Sequence, residues 1–371
     1  MKILISCLSK SWGGMEMFAV QSAQKLISNN CELYIFCIEN SKIDLNSNFI
    51  PEEKKLRVKS NFYLNIFNIW RLKKFLETNE IEIIHTQFSK DLWTITPALN
   101  LIKKHIPLVF TKQLGSFIIK KDFFHQWIYK RVDKAIAISS IIKQNLIETT
   151  PLNEEKIVVI PNVVDLERFN PENFDRKKIR TTFGFDGNVL VFTNVARLSP
   201  GKGQDIILKA ISLIKEQLKD TLFVFIGEAE EREKFYENNL KNFVRENNLE
   251  QLVKFYGFRK DIPEILAASD VFLFPSYAEA FGISLIEAMA MGLPNIVCKA
   301  DGVIDIIIEN ETSLTFERND VQTLSENILK LKNDAELRMK LSSNSIKRAK
   351  EFSFEKYNHR IMKLYSELLK N

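Results

Sequence analysis

Short apolar runs alternate with longer amphipathic segments along the whole chain, and this alternation limits the folds it can adopt. KILISCL (2–8) predicts a strand, the segment after Gly13 has helical spacing, and CELYIFCI (31–38) predicts a second strand. Strands that alternate with helices form βαβ units, which build parallel sheets covered by helices. The sequence therefore predicts an α/β protein.

A polar stretch, PNVVDLERFNPENFD (161–175), interrupts the alternation and is typical of a linker between domains. The pattern then restarts with NVLVFTNVA (188–196) and ends in a helical tail from about residue 320 to 370. We expect two doubly wound, Rossmann-like domains, 1–165 and 166–352, that face a central cleft. Ligands of such domains bind at the carboxyl ends of the strands.

The positive charge of the chain is concentrated in one part of its first half. The net charge is +5, whereas residues 54–134 hold 16 basic and 6 acidic side chains. A basic surface favours phosphate groups, acidic lipid or nucleic acid as a partner. Nucleic acid is not expected, because the sequence contains no recognised nucleic-acid-binding module.

The cysteines and the lack of long apolar segments favour a cytoplasmic protein. Cys7, Cys31, Cys37 and Cys298 form no C-x-x-C pair and no zinc spacing, which predicts free, buried thiols. The apolar run at the N-terminus is too short for a signal peptide. No segment approaches the roughly 18 apolar residues that span a bilayer.

Two turns that follow predicted strands carry groups suited to a phosphate. In ARLSPGKGQD (196–205) a Pro-Gly turn separates Arg197 from Lys202, so both cations can point into one loop and bind a diphosphate. Gly13 and Gly14 allow a ligand to approach the backbone at a helix N-terminus. Solvated surface charge and a simple tight turn are the respective alternatives.

The segment EAFGISLIE (279–287) holds two glutamates on either side of a loop-to-helix transition. A carboxylate can accept hydrogen bonds from a vicinal diol such as that of ribose. Gly282 and Ile283 offer backbone N–H groups to a phosphate at the helix start. Glu279 and Glu287 would then hold the two hydroxyl-bearing ends of a sugar–diphosphate–ribose ligand, although Glu287 as an exposed helix charge is the alternative.

Two later turns are weaker candidates. Gly227 ends a predicted strand, and the turn after FYG (255–257) leaves the backbone of Phe258 and Arg259 free to meet a flat ligand such as a base. Ordinary turns are the alternative for both.

Taken together, these segments resemble the retaining glycosyltransferases of family 4, which have the GT-B fold. The resemblance extends from GGME (13–16) through the linker and ARLSPGKG to the specific block GFRKDIPEILAASDVFLFPSYAEAFGISLIEAMAMGLP (257–294). It implies an enzyme that transfers a sugar from a nucleotide diphosphate sugar to an acceptor with retention of anomeric configuration. It also implies that no metal or other cofactor is needed, in agreement with the absence of an Asp-x-Asp pair.

The resemblance implies roles for individual residues. Arg197 and Lys202 would bind the donor diphosphate, Glu279 would contact the donor sugar and Glu287 the ribose. A terminal helix (353–371) would cross back to the first domain. Further donor contacts are implied for Gly13, Gly14, Gly227, Phe258, Arg259, Phe281, Gly282 and Ile283.

The chain departs from the family pattern at two glycine positions and at a histidine. Val163 and Asp301 stand where the family commonly has glycine. Many relatives carry a histidine after the strand that matches PLVFT (107–111), where this chain has Lys112 and Gln113. The histidine is then absent or is supplied from elsewhere. The acceptor-side candidates are His85, Lys112 and Gln113; His125 is a further possibility, and hydrogen-bonded burial is the alternative for either histidine.

The acceptor is expected in the first domain. Residues 111–134 mix basic and aromatic side chains, which suits a membrane interface with anionic lipid unless the aromatic residues pack inward. We therefore expect a lipid-linked or oligosaccharide acceptor of lipopolysaccharide or other cell-surface polysaccharide biosynthesis. A peripheral position on the inner face of the cytoplasmic membrane follows from the same reasoning.

Two other functions are compatible with the same fold. A non-catalytic GT-B partner subunit is favoured by the missing histidine but not by the presence of Arg197, Lys202, Glu279 and Glu287. A nucleotide-sugar epimerase would need a nucleotide sugar and no acceptor.

Overall fold

The computed structural model describes residues 1–27, 31–60, 63–185 and 187–370. They form two compact units. The first unit comprises Met1–Pro161 together with the C-terminal helix, and the second unit comprises Asn162–Ser353. The division falls at the start of the polar stretch 161–175.

In the described residues, the first unit contains a seven-stranded parallel sheet. Its strands are β1 (Lys2–Cys7), β2 (Glu32–Ile38), β3 (Lys55–Val58), β4 (Ile83–Thr86), β5 (Leu108–Lys112), β6 (Lys134–Ala137) and β7 (Ile157–Val159). Their order is β3-β2-β1-β4-β5-β6-β7, and every neighbouring pair is parallel. The connections change direction between β1 and β4, which is where doubly wound sheets open a crevice at their carboxyl edge.

Most of the described helices of the first unit begin at polar caps. The helices are α1 (Gly14–Ile27), α2 (Lys42–Leu45), α3 (Ile66–Thr78), α4 (Leu92–Asn100), α5 (Phe123–Lys130) and α6 (Ser140–Thr149). The side chains of Asn65, Asp122 and Ser139 accept hydrogen bonds from N–H groups in the first turns of α3, α5 and α6. Such caps satisfy donors that have no partner within the helix.

Over its described residues, the second unit repeats the architecture with a six-stranded parallel sheet. Its strands are β8 (Leu190–Val195), β9 (Thr221–Ile226), β10 (Val253–Phe255), β11 (Val271–Phe274), β12 (Asn295–Cys298) and β13 (Ser313–Phe316), in the order β10-β9-β8-β11-β12-β13. Its helices are α7 (Arg176–Phe183), α8 (Gln204–Ile214), α9 (Lys234–Glu246), α10 (Ile262–Ala268), α11 (Ile283–Ala290), α12 (Val321–Asn333) and α13 (Ala335–Ala349).

Apart from the edge strands β7 and β10, the strands of both sheets are buried almost continuously, as expected when helices cover both faces of a parallel sheet. In the second unit, for example, the rings of Phe192 and Phe223 stack on neighbouring strands with centroids 5.0 Å apart. The predicted pair of doubly wound α/β domains is confirmed.

The chain ends with α14 (Phe354–Lys370), which belongs to the first unit. Tyr357 packs edge-to-face on Phe18 of α1, with ring centroids 5.3 Å apart. The hydroxyl of Tyr365 lies 2.6 Å from Nδ1 of His85 in β4. The terminal helix thus completes the core of the first unit.

The sequence reading missed two strands and a helix boundary. It identified neither β3 nor β13, and between about residue 320 and the predicted terminal helix 353–371 it placed one helical segment where the structure has two helices, α12 and α13. Both missed strands lie at sheet edges and are only four residues long. Edge strands lack the long apolar runs that mark central strands.

Candidate functional site

The carboxyl ends of the strands of the second unit carry most of the predicted donor residues. Arg197 follows β8, Gly227 follows β9, Phe258 and Arg259 follow β10, and Glu279 follows β11. In a parallel sheet these ends share one edge, so the topology gathers residues that are up to 82 positions apart in sequence.

Backbone hydrogen bonds fix the loops at this edge. The N–H of Ala196 donates to the carbonyl of Ile226 at 3.0 Å, and that of Gly227 donates to the carbonyl of Gly257 at 2.8 Å. Gly227 has a φ of +130°, and a Cβ at this position would lie 2.0 Å from the carbonyl oxygen of Ala196. Glycine is therefore required where the loops after β8 and β9 meet.

A cavity of about 450 Å³ lies between these loops. Ala196, Ile226, Ala229, Phe258 and Ile262 give it a largely apolar lining. The ring of Phe258 is mostly exposed, whereas the guanidinium of Arg259 is held by Asp261. An apolar cavity beside an exposed ring suits a flat heterocycle.

Lys202 and Glu279 lie together at the same edge. The ammonium of Lys202 donates a hydrogen bond to the carboxylate of Glu279, and both side chains are largely shielded from solvent. The structure thus brings a predicted phosphate-binding cation to the predicted sugar-binding carboxylate.

The turn that holds Lys202 depends on close backbone approach. Gly203 has a φ of +72°, and an added Cβ would lie 2.5 Å from the carbonyl oxygen of Pro275. The N–H of Tyr277 donates to the carbonyl of Gly201 at 3.1 Å. These contacts clamp the loop between β8 and α8 against the loop after β11.

Arg197 has acidic partners of its own. Its guanidinium pairs with Glu230, and its Nε lies 3.7 Å from Oε2 of Glu233. These partners were not predicted from the sequence, although the glutamate-rich segment 228–233 was the available signal. A bound diphosphate would compete with the two carboxylates for Arg197.

The start of α11 is built as predicted around Gly282. This residue is the N-cap, and its φ of +118° lies in the left-handed region. Phe281 is buried and packs edge-to-face on Phe352, with centroids 5.8 Å apart, while Ile283 begins the helix. The N–H groups of a first helical turn have no partner within the helix and face an incoming anion.

The two family glycines that this chain lacks have different surroundings. Asp301 has a φ of +49°, a left-handed conformation that glycine adopts without strain. Its carboxylate accepts a hydrogen bond from the N–H of Glu279 at 3.3 Å. Val163 is buried instead. The loop beside Glu279 therefore keeps the backbone that glycine favours and gains a carboxylate.

Glu287 lies in the second turn of α11. Within the described ranges its carboxyl group forms no hydrogen bond and no ion pair. Burial raises its pKa to about 7, and the charge of Arg168 opposes this shift. A shielded carboxyl group without a protein partner is costly and is ready to bind hydroxyl groups. The alternative of a solvated surface charge is therefore disfavoured.

Two of the acceptor-side candidates in the first unit, His85 and Gln113, belong to a buried hydrogen-bond network. Nε2 of His85 lies 2.6 Å from the hydroxyl of Thr111, and its Nδ1 is bonded to Tyr365. Burial lowers the pKa of His85 to about 3, so the ring is neutral. Gln113 donates to Gln87, whose amide lies 3.3 Å from the His85 ring. His85 therefore has the hydrogen-bonded burial considered as its alternative.

The remaining candidates of the first unit lie apart from this network. Gly14 begins α1, and the N–H of Gly13 donates to the carboxylate of Glu16 at 3.0 Å, as in a capping box. His125 contacts Asp122, the N-cap of α5. Lys112 ends β5, and only 9% of its surface is exposed.

Comparison with known proteins identifies the family. The model of the Glycosyltransferase Family 4 matches residues 12–168, and that of the Glycosyl transferases group 1 matches residues 175–348. An uncharacterised glycosyltransferase of Methanocaldococcus jannaschii is 30% identical over 86% of this chain and 84% of its own length. The chain belongs to the family 4 glycosyltransferases.

Two further proteins extend this similarity. The UDP-Gal:alpha-D-GlcNAc-diphosphoundecaprenol alpha-1,3-galactosyltransferase of Escherichia coli is 27% identical over 96% of this chain and 95% of its own length. The crystal structure of Anabaena HepE in complex with UDP has a TM-score of 0.84 at 24% identity and covers 99% of this chain and 100% of that chain. The glycosyltransferase therefore has the GT-B fold and transfers a sugar from a nucleotide sugar.

Proposed function

We propose that this glycosyltransferase moves a sugar from a UDP-sugar to a lipid-linked glycan with retention of configuration. The observation that carries the proposal is the carboxyl edge of the second-unit sheet, where the Lys202–Glu279 pair is followed in the chain by the N-terminus of α11 and by Glu287, which has no protein partner among the described residues. UDP is supported by the UDP complex of HepE and by the UDP-galactose named for the Escherichia coli relative.

Each part of the donor has a counterpart at this edge. The cavity beside Phe258 receives the base, and Glu287 accepts hydrogen bonds from the ribose hydroxyls. Lys202, Arg197 and the N–H groups at the start of α11 hold the diphosphate. Glu279 contacts the donor sugar.

The reaction follows from charge development at the diphosphate. The bond between the anomeric carbon and the diphosphate oxygen breaks, and its electron pair stays on the leaving diphosphate. The acceptor hydroxyl attacks from the same face and transfers its proton to an oxygen of the leaving phosphate. Lys202 stabilises the growing negative charge, which is the largest contribution expected of such a site. Lys202 and Arg197 would neutralise the diphosphate charge that a metal ion could otherwise neutralise, so we propose metal-independent transfer.

The acceptor is proposed to be a membrane lipid. The Escherichia coli relative is named for a diphosphoundecaprenol-linked sugar. In the first unit, large apolar side chains of the loop before α5 and of α5 itself point into solvent instead of packing inward: Leu114, Phe117, Ile118, Ile119, Phe123 and Phe124. We call these residues the apolar face, and we propose that it contacts a bilayer. No helix in the described ranges is long and apolar enough to cross a membrane.

The proposal is tested by product analysis. The protein is incubated with UDP-galactose, UDP-glucose or their N-acetyl forms, with and without a bacterial lipid fraction that carries diphosphoundecaprenol-linked sugars. We expect UDP release that requires the lipid, and an α-linked product by NMR. A β-linked product would refute retention. Conversion of the UDP-sugar without lipid would favour an epimerase, and no turnover with any donor would favour a non-catalytic partner subunit.

A further inference from the structure

Three lysines gather at the carboxyl edge of the first-unit sheet. Lys112 ends β5, and Lys90 lies just beyond the end of the neighbouring β4. Lys120 follows in the loop that leaves β5. The charge of Lys120 acts on Lys112, and that of Lys90 acts on Lys120. We call Lys90, Lys112 and Lys120 the lysine cluster.

The cluster has no acidic partner within the described residues. The side chain of Lys112 forms neither a hydrogen bond nor an ion pair there, although it is more than nine-tenths buried. Lys90 lies over the ring of Phe88, with its Nζ 6.0 Å from the ring centroid. The nearby Asp91 accepts hydrogen bonds from Ser6 and Thr86 at 2.6 and 3.1 Å. The carboxylate of Asp91 is therefore already hydrogen-bonded to these two side chains.

A buried ammonium group beside like charges is unfavourable when no anion is bound. Burial and the charge of Lys120 lower the pKa of Lys112 to about 8, and burial and Lys90 lower that of Lys120. An anion would relieve both the desolvation and the repulsion. Lysines without carboxylate partners at the carboxyl edge of a parallel sheet are well suited to bind phosphate.

We propose that the lysine cluster binds the phosphate or diphosphate group of the acceptor. This inference rests on the proposed transfer to a lipid-linked glycan and names the feature of the acceptor that the first unit recognises. The apolar face starts at Leu114, two residues after Lys112, and Ile118 and Ile119 directly precede Lys120. A phosphate joined to a hydrocarbon chain therefore matches the neighbouring surface, with its charge at the lysines and its chain at the apolar face.

The first test measures anion binding without turnover. The full chain carries Lys202→Ala, which weakens diphosphate binding in the second unit, and is titrated with inorganic pyrophosphate by calorimetry. We expect binding that Lys112→Met or Lys120→Met weakens roughly tenfold or more, the effect of losing a charged hydrogen bond. Lys103→Met, at an exposed lysine after α4, is the control and should leave binding unchanged.

The second test distinguishes the acceptor from bulk lipid. Phosphatidylcholine vesicles are doped with either a polyprenyl diphosphate or phosphatidylglycerol and sedimented with the same variants. We expect Lys112→Met to reduce binding to the polyprenyl diphosphate vesicles alone. An equal loss of binding to the phosphatidylglycerol vesicles would overturn the proposal, because the lysines would then bind anionic lipid in general.

Unchanged pyrophosphate binding in both Lys112→Met and Lys120→Met would also overturn the proposal. Lys112→Met should melt no lower than wild type, because it removes a buried charge without a partner, so loss of binding cannot be ascribed to unfolding. Failure of the proposed function is distinguishable, since it would abolish transfer in the wild type and leave these binding measurements interpretable.

Discussion

At the scale of single residues, the Lys202–Glu279 pair is the feature on which turnover should depend most. We expect Lys202→Ala to lower the transfer rate by roughly 10²–10³-fold, as loss of a donor to a developing anion does elsewhere. Its Tm should change little, because ion pairs near a surface contribute about 1 kcal/mol or less. Lys209→Ala, which removes an exposed ion pair with Asp205, is the matched control and should keep full activity. Near-normal transfer by Lys202→Ala would refute its role.

The proposed ribose-binding residue Glu287 should also make the stability of the protein depend on pH. Its pKa in the folded protein is about 7, above its ordinary value of 4.5, so the folded state binds the proton more tightly than the unfolded state. Its contribution to stability is therefore fully present below about pH 4.5 and is lost as the pH rises through 7. The loss amounts to at most about 3 kcal/mol.

Glu287→Gln should remove this pH dependence. We expect the variant to melt several degrees above wild type at pH 8 and close to it at pH 5, while it loses nucleotide binding. Parallel melting curves at the two pH values check this. A variant that is less stable than wild type at pH 8 would contradict an unpartnered, shielded carboxyl group.

At the scale of elements, the loop between β8 and α8 depends on Gly203. Gly203→Ala should destabilise the second unit by about 2–4 kcal/mol, because it combines a left-handed backbone with a Cβ 2.5 Å from the carbonyl oxygen of Pro275. Gly187→Ala is the control, since its added Cβ would meet nothing within 4 Å. The comparison is made by thermal unfolding, and equal Tm values for the two variants would contradict the close approach.

The central strands and helix starts could be predicted from sequence because their signals are local. The runs KILISCL (2–8) and CELYIFCI (31–38) predicted β1 and β2, and the glycine of EAFGISLIE predicted the start of α11; all three are confirmed. The acidic partners of Arg197 and the hydrogen bonds of His85 could not be predicted. They join residues that only the sheet topology brings together, such as His85 and Tyr365, 280 positions apart.

At the scale of the whole molecule, the apolar face should bind the enzyme to a membrane surface. We expect sedimentation with phosphatidylglycerol vesicles, and Phe117→Ser with Phe123→Ser should weaken it at least tenfold without lowering the Tm, since both rings are exposed. Phe235→Ser, at an equally exposed ring of the second unit, is the control. Equal vesicle binding by all variants would exclude the apolar face as the contact.

Donor binding by the second unit can be measured with a thermal-shift panel. UDP, GDP, ADP and CMP and their common sugar conjugates are added to the full chain in the presence of a metal chelator. A ligand that binds the folded state raises its stability by RT ln(1 + [L]/Kd). We predict that UDP and one UDP-sugar raise the Tm of the wild type but not that of Glu287→Gln. No shift with any nucleotide would refute nucleotide-sugar binding by the second unit, and an undiminished shift in the variant would refute the role of Glu287.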